Sequence, residues 1–198
     1  MEPTDLAPPA PPAGLAARAR AAYRRGRVWL AGRRLLVALS VPAGALLLER
    51  SHGPLALTGD LGLALCSCIA FLAAVPIFAF FGRAPGDAVA PGLGAAVLAT
   101  WSPLLMRSLG HACASTACMS LCLPACVVGG AAAGLVLSLR ARAQPTAAER
   151  TQTLLAGGAL VLLAAPLGCT MFGLSGLVAV AAGLAVGSVP VLAPRTAP

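Results

Sequence analysis

His111–Arg140, HACASTACMSLCLPACVVGGAAAGLVLSLR, holds no charged residue between Ala112 and Leu139. As a helix rising ~1.5 Å per residue it would extend roughly 42 Å, beyond the ~30 Å hydrocarbon thickness of a bilayer. It also carries four of the seven cysteines and one of the two histidines. The run is too long and too apolar for a globular core helix, so the solvent it implies is lipid. The chain around it reads as an all-α integral membrane protein.

Composition extends that reading outward. Hydrophobic residues make up 59% of the 198 residues and charged residues 10%, with a mean hydropathy of +0.88. Further uncharged runs occupy Leu35–Leu48, Leu61–Phe81, Ala88–Met106 and Thr151–Pro194. The last is too long for one span, and Pro166, Gly168 and Gly173 mark a break, giving Thr153–Leu167 and Phe172–Leu192. A bundle of about six transmembrane helices over residues 35–193 follows, because lipid leaves backbone polar groups no partner outside their own segment.

Arginine sets the expected orientation. All 14 basic residues are arginines. With the amino terminus in the cytoplasm, Arg18, Arg20, Arg24, Arg25, Arg27, Arg33, Arg34, Arg83, Arg140, Arg142, Arg150 and Arg195 fall inside, leaving only Arg50 and Arg107 outside. That asymmetry predicts an N-in/C-in topology with 194–198 cytoplasmic. It also accounts for the net charge of +8 without nucleic acid, since anionic cytoplasmic lipid attracts the same charges.

Residues 1–34 form the expected cytoplasmic tail. Residues 1–13 are proline-rich and predicted disordered. Residues 14–34 are predicted to form a basic amphipathic helix, with Leu15, Ala19 and Tyr23 at i, i+4 and i+8 beside the arginines. Such a helix either lies on anionic lipid or docks a cytoplasmic partner. In the second case Leu15, Arg18, Ala19, Tyr23, Arg24 and Arg25 make the contact. A cleaved signal peptide is not expected, because the apolar run is interrupted by Pro42 and continues past Ala43-Gly44-Ala45 through Leu46–Leu48.

The cysteines are the chemistry-bearing feature. Cys66 and Cys68 fall near the outer end of the second span, Cys113 and Cys118 near that of the fourth, and Cys169 in the last outer turn. On a wheel of ~100° per residue, His111, Cys118, Cys122 and Cys126 share an arc of about 80°. Cys118, Cys122 and Cys126 are therefore the metal candidates, and Cys66, Cys68, Cys118, Cys122 and Cys169 the redox or signal-sensing candidates. The competing reading is that these thiols only pack. Cysteine is a small hydrophobe, and the stripe runs into Gly130-x-x-x-Gly134, a close-approach motif repeated at Gly183-x-x-x-Gly187.

No enzyme class is expected. Gly173-Leu174-Ser175-Gly176 matches the GxSG of rhomboid-type intramembrane proteases, yet no histidine follows Ser175 to activate it. No carboxylate lies in any span, and no phosphate-loop, HExxH or dinucleotide motif occurs. No cofactor is called for.

Several of these stretches together resemble the NrsF-type membrane anti-sigma factors, a bacterial six-helix family. They are the tail with Trp29 and Arg33-Arg34, the Cys122-Leu123-Pro124 region, the Leu139-Arg140-Ala141-Arg142 loop, and a fifth helix reaching Cys169. Where that family often has a histidine beside the last cysteine, this chain has Gly168. The resemblance implies an inner-membrane regulator, with no enzyme activity and no direct nucleic-acid contact. Its tail would sequester an extracytoplasmic-function sigma factor and release it on an outer-side signal. Two other readings stay open: a small permease for a soft metal or thiol-reactive species using the cysteine stripe, and a structural subunit, possible as a homo-oligomer, whose cysteines merely pack.

Overall fold

The computed structural model describes residues 13–51, 61–80, 83–108, 116–168 and 173–192. They form six helices: α1 (Ala13–Ser51), α2 (Leu61–Phe80), α3 (Arg83–Ser108), α4 (Thr116–Arg142), α5 (Ala147–Gly168) and α6 (Gly173–Leu192). Among the described residues there is no strand. Five helices are long and apolar enough to cross a membrane, and the apolar stretch of α6, Leu174–Val189, is shorter. The chain is thus a multi-pass membrane protein. Large side chains such as Leu36, Leu47, Ile69, Val128 and Leu155 are exposed along these helices, where lipid is the natural solvent.

Named contacts set the helix directions. Gly44 on α1 meets Trp101 on α3, while Arg34 meets Gly86, so α1 and α3 run parallel. Gly92 and Thr100 on α3 meet Gly157 and Ala164 on α5, which makes that pair parallel as well. Ser102 and Leu98 on α3 meet Ala125 and Gly129 on α4 in antiparallel order. Gly130 and Gly134 on α4 meet Val180 and Leu184 on α6 in parallel order. The helices therefore alternate up and down, and the start of α1 and the end of α6 lie at the same end of the bundle.

Two cores share one central pair. Phe71, Val75, Ala38, Val41, Val89 and Leu160 join α1, α2, α3 and α5. Cys126, Leu137, Val161, Ala99 and Val180 join α3, α4, α5 and α6. Because α3 and α5 contribute to both, they form the spine. Lipid tails are as apolar as these side chains, so close packing and interhelical hydrogen bonds hold the pairs together more than burial does.

Small residues permit that packing. A Cβ at Gly134 would sit 2.5 Å from the Leu184 carbonyl oxygen, and one at Gly92 2.9 Å from Leu160 Cδ1 and 3.2 Å from Gly157 Cα. Two hydroxyls add polar links in apolar surroundings. Thr100 Oγ1 donates to the Ala164 carbonyl at 3.3 Å, and Ser102 Oγ reaches the Ala125 carbonyl at 3.1 Å. Ser102 Oγ also lies 3.4 Å from the Ala99 carbonyl, the group whose helical donor Pro103 removes.

Helix boundaries differ from the sequence expectation in a consistent direction. α1 runs unbroken through position 34, where the tail was expected to give way to the first span. Alanine, leucine and arginine all favour helix, and nothing between Ala13 and Pro42 interrupts the ladder strongly. α3 likewise begins at Arg83 and α5 at Ala147, ahead of their apolar cores. The α5 start is a capping box: Thr146 Oγ1 accepts from the Glu149 amide at 3.2 Å, and Glu149 Oε2 from the Thr146 amide at 3.4 Å.

Candidate functional site

Most of the helix ends that carry arginine gather at one end of the bundle; the ends of α1 with Arg50 and of α3 with Arg107 lie at the other. Arg27 Nη1 donates to the Phe80 carbonyl at 3.1 Å, one of the carbonyls that the last turn of α2 leaves without a helical partner. Arg34 Nη1 donates to the Gly86 carbonyl in the first turn of α3 at 2.6 Å. These two bonds tie α1 to the end of α2 and to the first turn of α3. On the other side of α3, Asp87, Arg140, Gln144 and Thr153 line a cleft of about 470 Å3 between α3, α4 and α5. The α4–α5 turn beneath it is held by the Arg150 Nε bond to the Gln144 carbonyl at 3.1 Å.

From this end the first half of α1 projects uncovered. Every described residue from Ala17 to Gly26 is exposed, as are Leu15 (60%), Tyr23 (61%) and Trp29 (68%). Arg18, Ala19, Arg24 and Arg25 are among them, on all sides of the helix. Arg27 lies over the Tyr23 ring at 5.3 Å and Arg33 over the Trp29 ring at 5.9 Å, so the aromatic faces are partly occupied by cations from the same helix. The exposed surface is a mixed apolar and cationic rod, about 20 Å long from Gly14 to Gly26. Residues 1–12 lie outside the described residues.

Among the described residues the cysteines fall on two helices, α2 and α4. Cys126 is fully buried in the core shared by α3, α4, α5 and α6, and Cys122 is buried one turn before it. Cys66 is exposed on α2 and Cys68 half-buried. The packing partners of α2 are α1, α3 and α5, whereas α4 packs chiefly on α6 and α3. Among the described residues no three histidine, cysteine or carboxylate side chains come together as a metal site would require. The Cys118 side chain and the whole of His111, Cys113 and Cys169 lie outside the described residues.

The two glycine motifs face one another. Gly130 and Gly134 on α4 pack against Val180, Leu184 and Gly187 on α6, while Gly183 and Gly187 pack against Val127, Ala131 and Leu135. A Cβ at Gly183 or Gly187 would overlap the carbonyl oxygen of Val127 or Ala131, respectively. Each motif is visible in the sequence, but its partner is not.

Other residues that position these elements went unmarked in the sequence: Ser102, Thr100 and Gly157 bind the spine. Arg27 and Arg34, read there as cytoplasmic-side charge, anchor the tail to the bundle. A hydroxyl inside an apolar span needs a partner, which is the signal that singles out Ser102 and Thr100. Compared with models of protein families, curated proteins and solved structures, the chain matches none.

Proposed function

We propose that this chain is a non-enzymatic regulator of the bacterial inner membrane, with six spans and both termini in the cytoplasm. The uncovered half of α1 sequesters a soluble cytoplasmic protein, an extracytoplasmic-function sigma factor by the resemblance of the chain to NrsF-type proteins. The observation that carries the reading is the unbroken α1: one helix is both the partner-facing rod and a wall of the membrane core. The orientation is supported by the arginines, which concentrate at the bundle end where α1 begins and α6 ends. α6, with 20 residues and about 30 Å of axis, is long enough for the sixth span.

The mechanism follows from the anchoring bonds. Arg27 and Arg34 couple α1 to the end of α2 and the start of α3, so repacking of the bundle by an outer-side signal moves the docking rod with it. Such a signal has to change partner affinity by only about 1–3 kcal/mol to shift occupancy severalfold to a hundredfold. Among the described cysteines, Cys66 and Cys68 lie on α2 and Cys122 and Cys126 in α4, and no metal-like cluster forms, which supports regulation over a thiol relay through the membrane.

The test is capture of soluble protein by the full-length chain in detergent, compared with a Leu15→Glu/Tyr23→Glu variant. A sigma factor retained by the native chain and lost by the variant is the expected result. Capture of another soluble protein alone would overturn the sigma assignment. Equal capture by both chains, or none by either, would overturn the docking role of α1.

A further inference from the structure

A groove of about 500 Å3 separates α1 from α3 next to the arginine end. Its α1 wall is the stripe Arg33, Arg34, Val37 and Val41, and its floor on α3 includes Ala90 and Gly94. The floor is low because these residues are small, and a Cβ added at Gly94 would meet nothing within 4 Å. The charged side chains lining the groove are both arginines; the cleft on the α4 side of α3, lined by Asp87 and Arg140, adjoins it across Ala90 and Gly94. Arg34 spends one N–H on the Gly86 carbonyl, leaving further donors of its guanidinium for another acceptor. From Arg33 to Val41 the stripe covers about 12 Å of helix axis, running from the polar end into the apolar core.

We infer that this groove is a binding site for one anionic phospholipid, with its phosphate against Arg33 and Arg34 and an acyl chain laid over Ala90 and Gly94. The charge order matches such a molecule from end to end: two cations at the interface, then only apolar wall toward the bilayer centre. Guanidinium is the group best suited to phosphate, through paired N–H donors. A volume of this size lies within the ~300–1,000 Å3 typical of small-molecule sites. The site stands whether or not α1 holds a soluble partner, and the lipid brings α1 and α3 together where their side chains leave a gap.

The experiment is native mass spectrometry of the full-length chain in detergent with equimolar phosphatidylglycerol and phosphatidylcholine of the same acyl chains. Phosphatidylglycerol is expected to be retained roughly thirtyfold more, the order expected of two arginines near an anionic headgroup. Arg33→Gln should lower that preference severalfold. Gly94→Leu, which fills the groove without a Cβ clash, should abolish retention of the lipid while circular dichroism shows the helices intact. Equal retention of the two lipids, or undiminished phosphatidylglycerol on the Gly94→Leu chain, would overturn the site. Displacement of the lipid by soluble glycerol phosphate would overturn the acyl-chain placement. A change from dimer to monomer in Gly94→Leu, with lipid retention unchanged, would assign the groove to a second copy of the chain and overturn the inference.

Discussion

Gly183 on α6 lies so close to Val127 on α4 that a Cβ on the glycine would overlap the valine carbonyl oxygen. Backbone meets backbone there, with no flexible side chain to yield. Gly183→Leu is therefore expected to cost about 2–3 kcal/mol, at the upper end of ordinary overpacking, and to lower the thermal midpoint in detergent. Gly94→Ala, which meets open space in mid-helix, should be neutral or raise stability by up to about 1 kcal/mol. Equal effects at the two positions would mean that α4 and α6 do not approach at this seam.

Ser102 and Gly129 form a second, polar contact between α3 and α4. The Ser102 hydroxyl serves the Ala125 and Ala99 carbonyls, and a Cβ at Gly129 would run into the Ser102 side chain. Ser102→Ala should cost about 0.6–1.7 kcal/mol, the range of interhelical hydrogen bonds in membranes. Gly129→Ala should cost more, and the double variant less than the sum, because removing the hydroxyl makes part of the room the new methyl needs. Strict additivity in a thermal-melt cycle would exclude the contact.

Thr153 is the reverse case. Its Oγ1 is buried without a hydrogen-bond partner at the foot of the Asp87–Arg140–Gln144 cleft. Replacing a hydroxyl in that state with a methyl of similar shape removes a desolvation cost and no bond. Thr153→Val should be neutral or raise stability by up to about 1 kcal/mol. A loss exceeding 1 kcal/mol would show that the hydroxyl is satisfied in the folded chain.

Thiol reactivity should follow burial. Cys66 is exposed on α2, whereas Cys122 and Cys126 are at most 2% exposed. In detergent, N-ethylmaleimide should modify Cys66 first and reach Cys122 and Cys126 only on unfolding, as read by peptide mass mapping. Labelling of Cys126 at the rate of Cys66 would contradict its place in the core. The pattern also ranks the sensing candidates, since a sensor thiol has to be reachable by its oxidant.

These particulars show what was legible in the sequence. Uncharged runs such as Leu61–Phe81 announced their helices because lipid permits little else, and α2 occupies Leu61–Phe80. The junction at Arg34 was not legible, because arginine and leucine both continue a helix and only their solvents differ. The glycine motifs at 130–134 and 183–187 marked close approach but carried no address, since a small residue fits any partner. Of the cysteine arc on α4, Cys122 and Cys126 are buried, and periodicity alone could not tell a lining from a core. Arg27 and Arg34 looked like surface charge, and their carbonyl partners on α2 and α3 become visible only once three helices are assembled.

The proposed regulator depends on the arginine-bearing end facing the cytosol, with the exposed half of α1 on that side. The direct measurement is side-specific labelling of an Ala17→Cys chain with a membrane-impermeant maleimide, mapped to the tail peptide by mass spectrometry. Label on Cys-substituted position 17 only in inverted membrane vesicles is the expected result. Label at that position in intact spheroplasts would place the docking helix outside and overturn sequestration of any cytoplasmic partner.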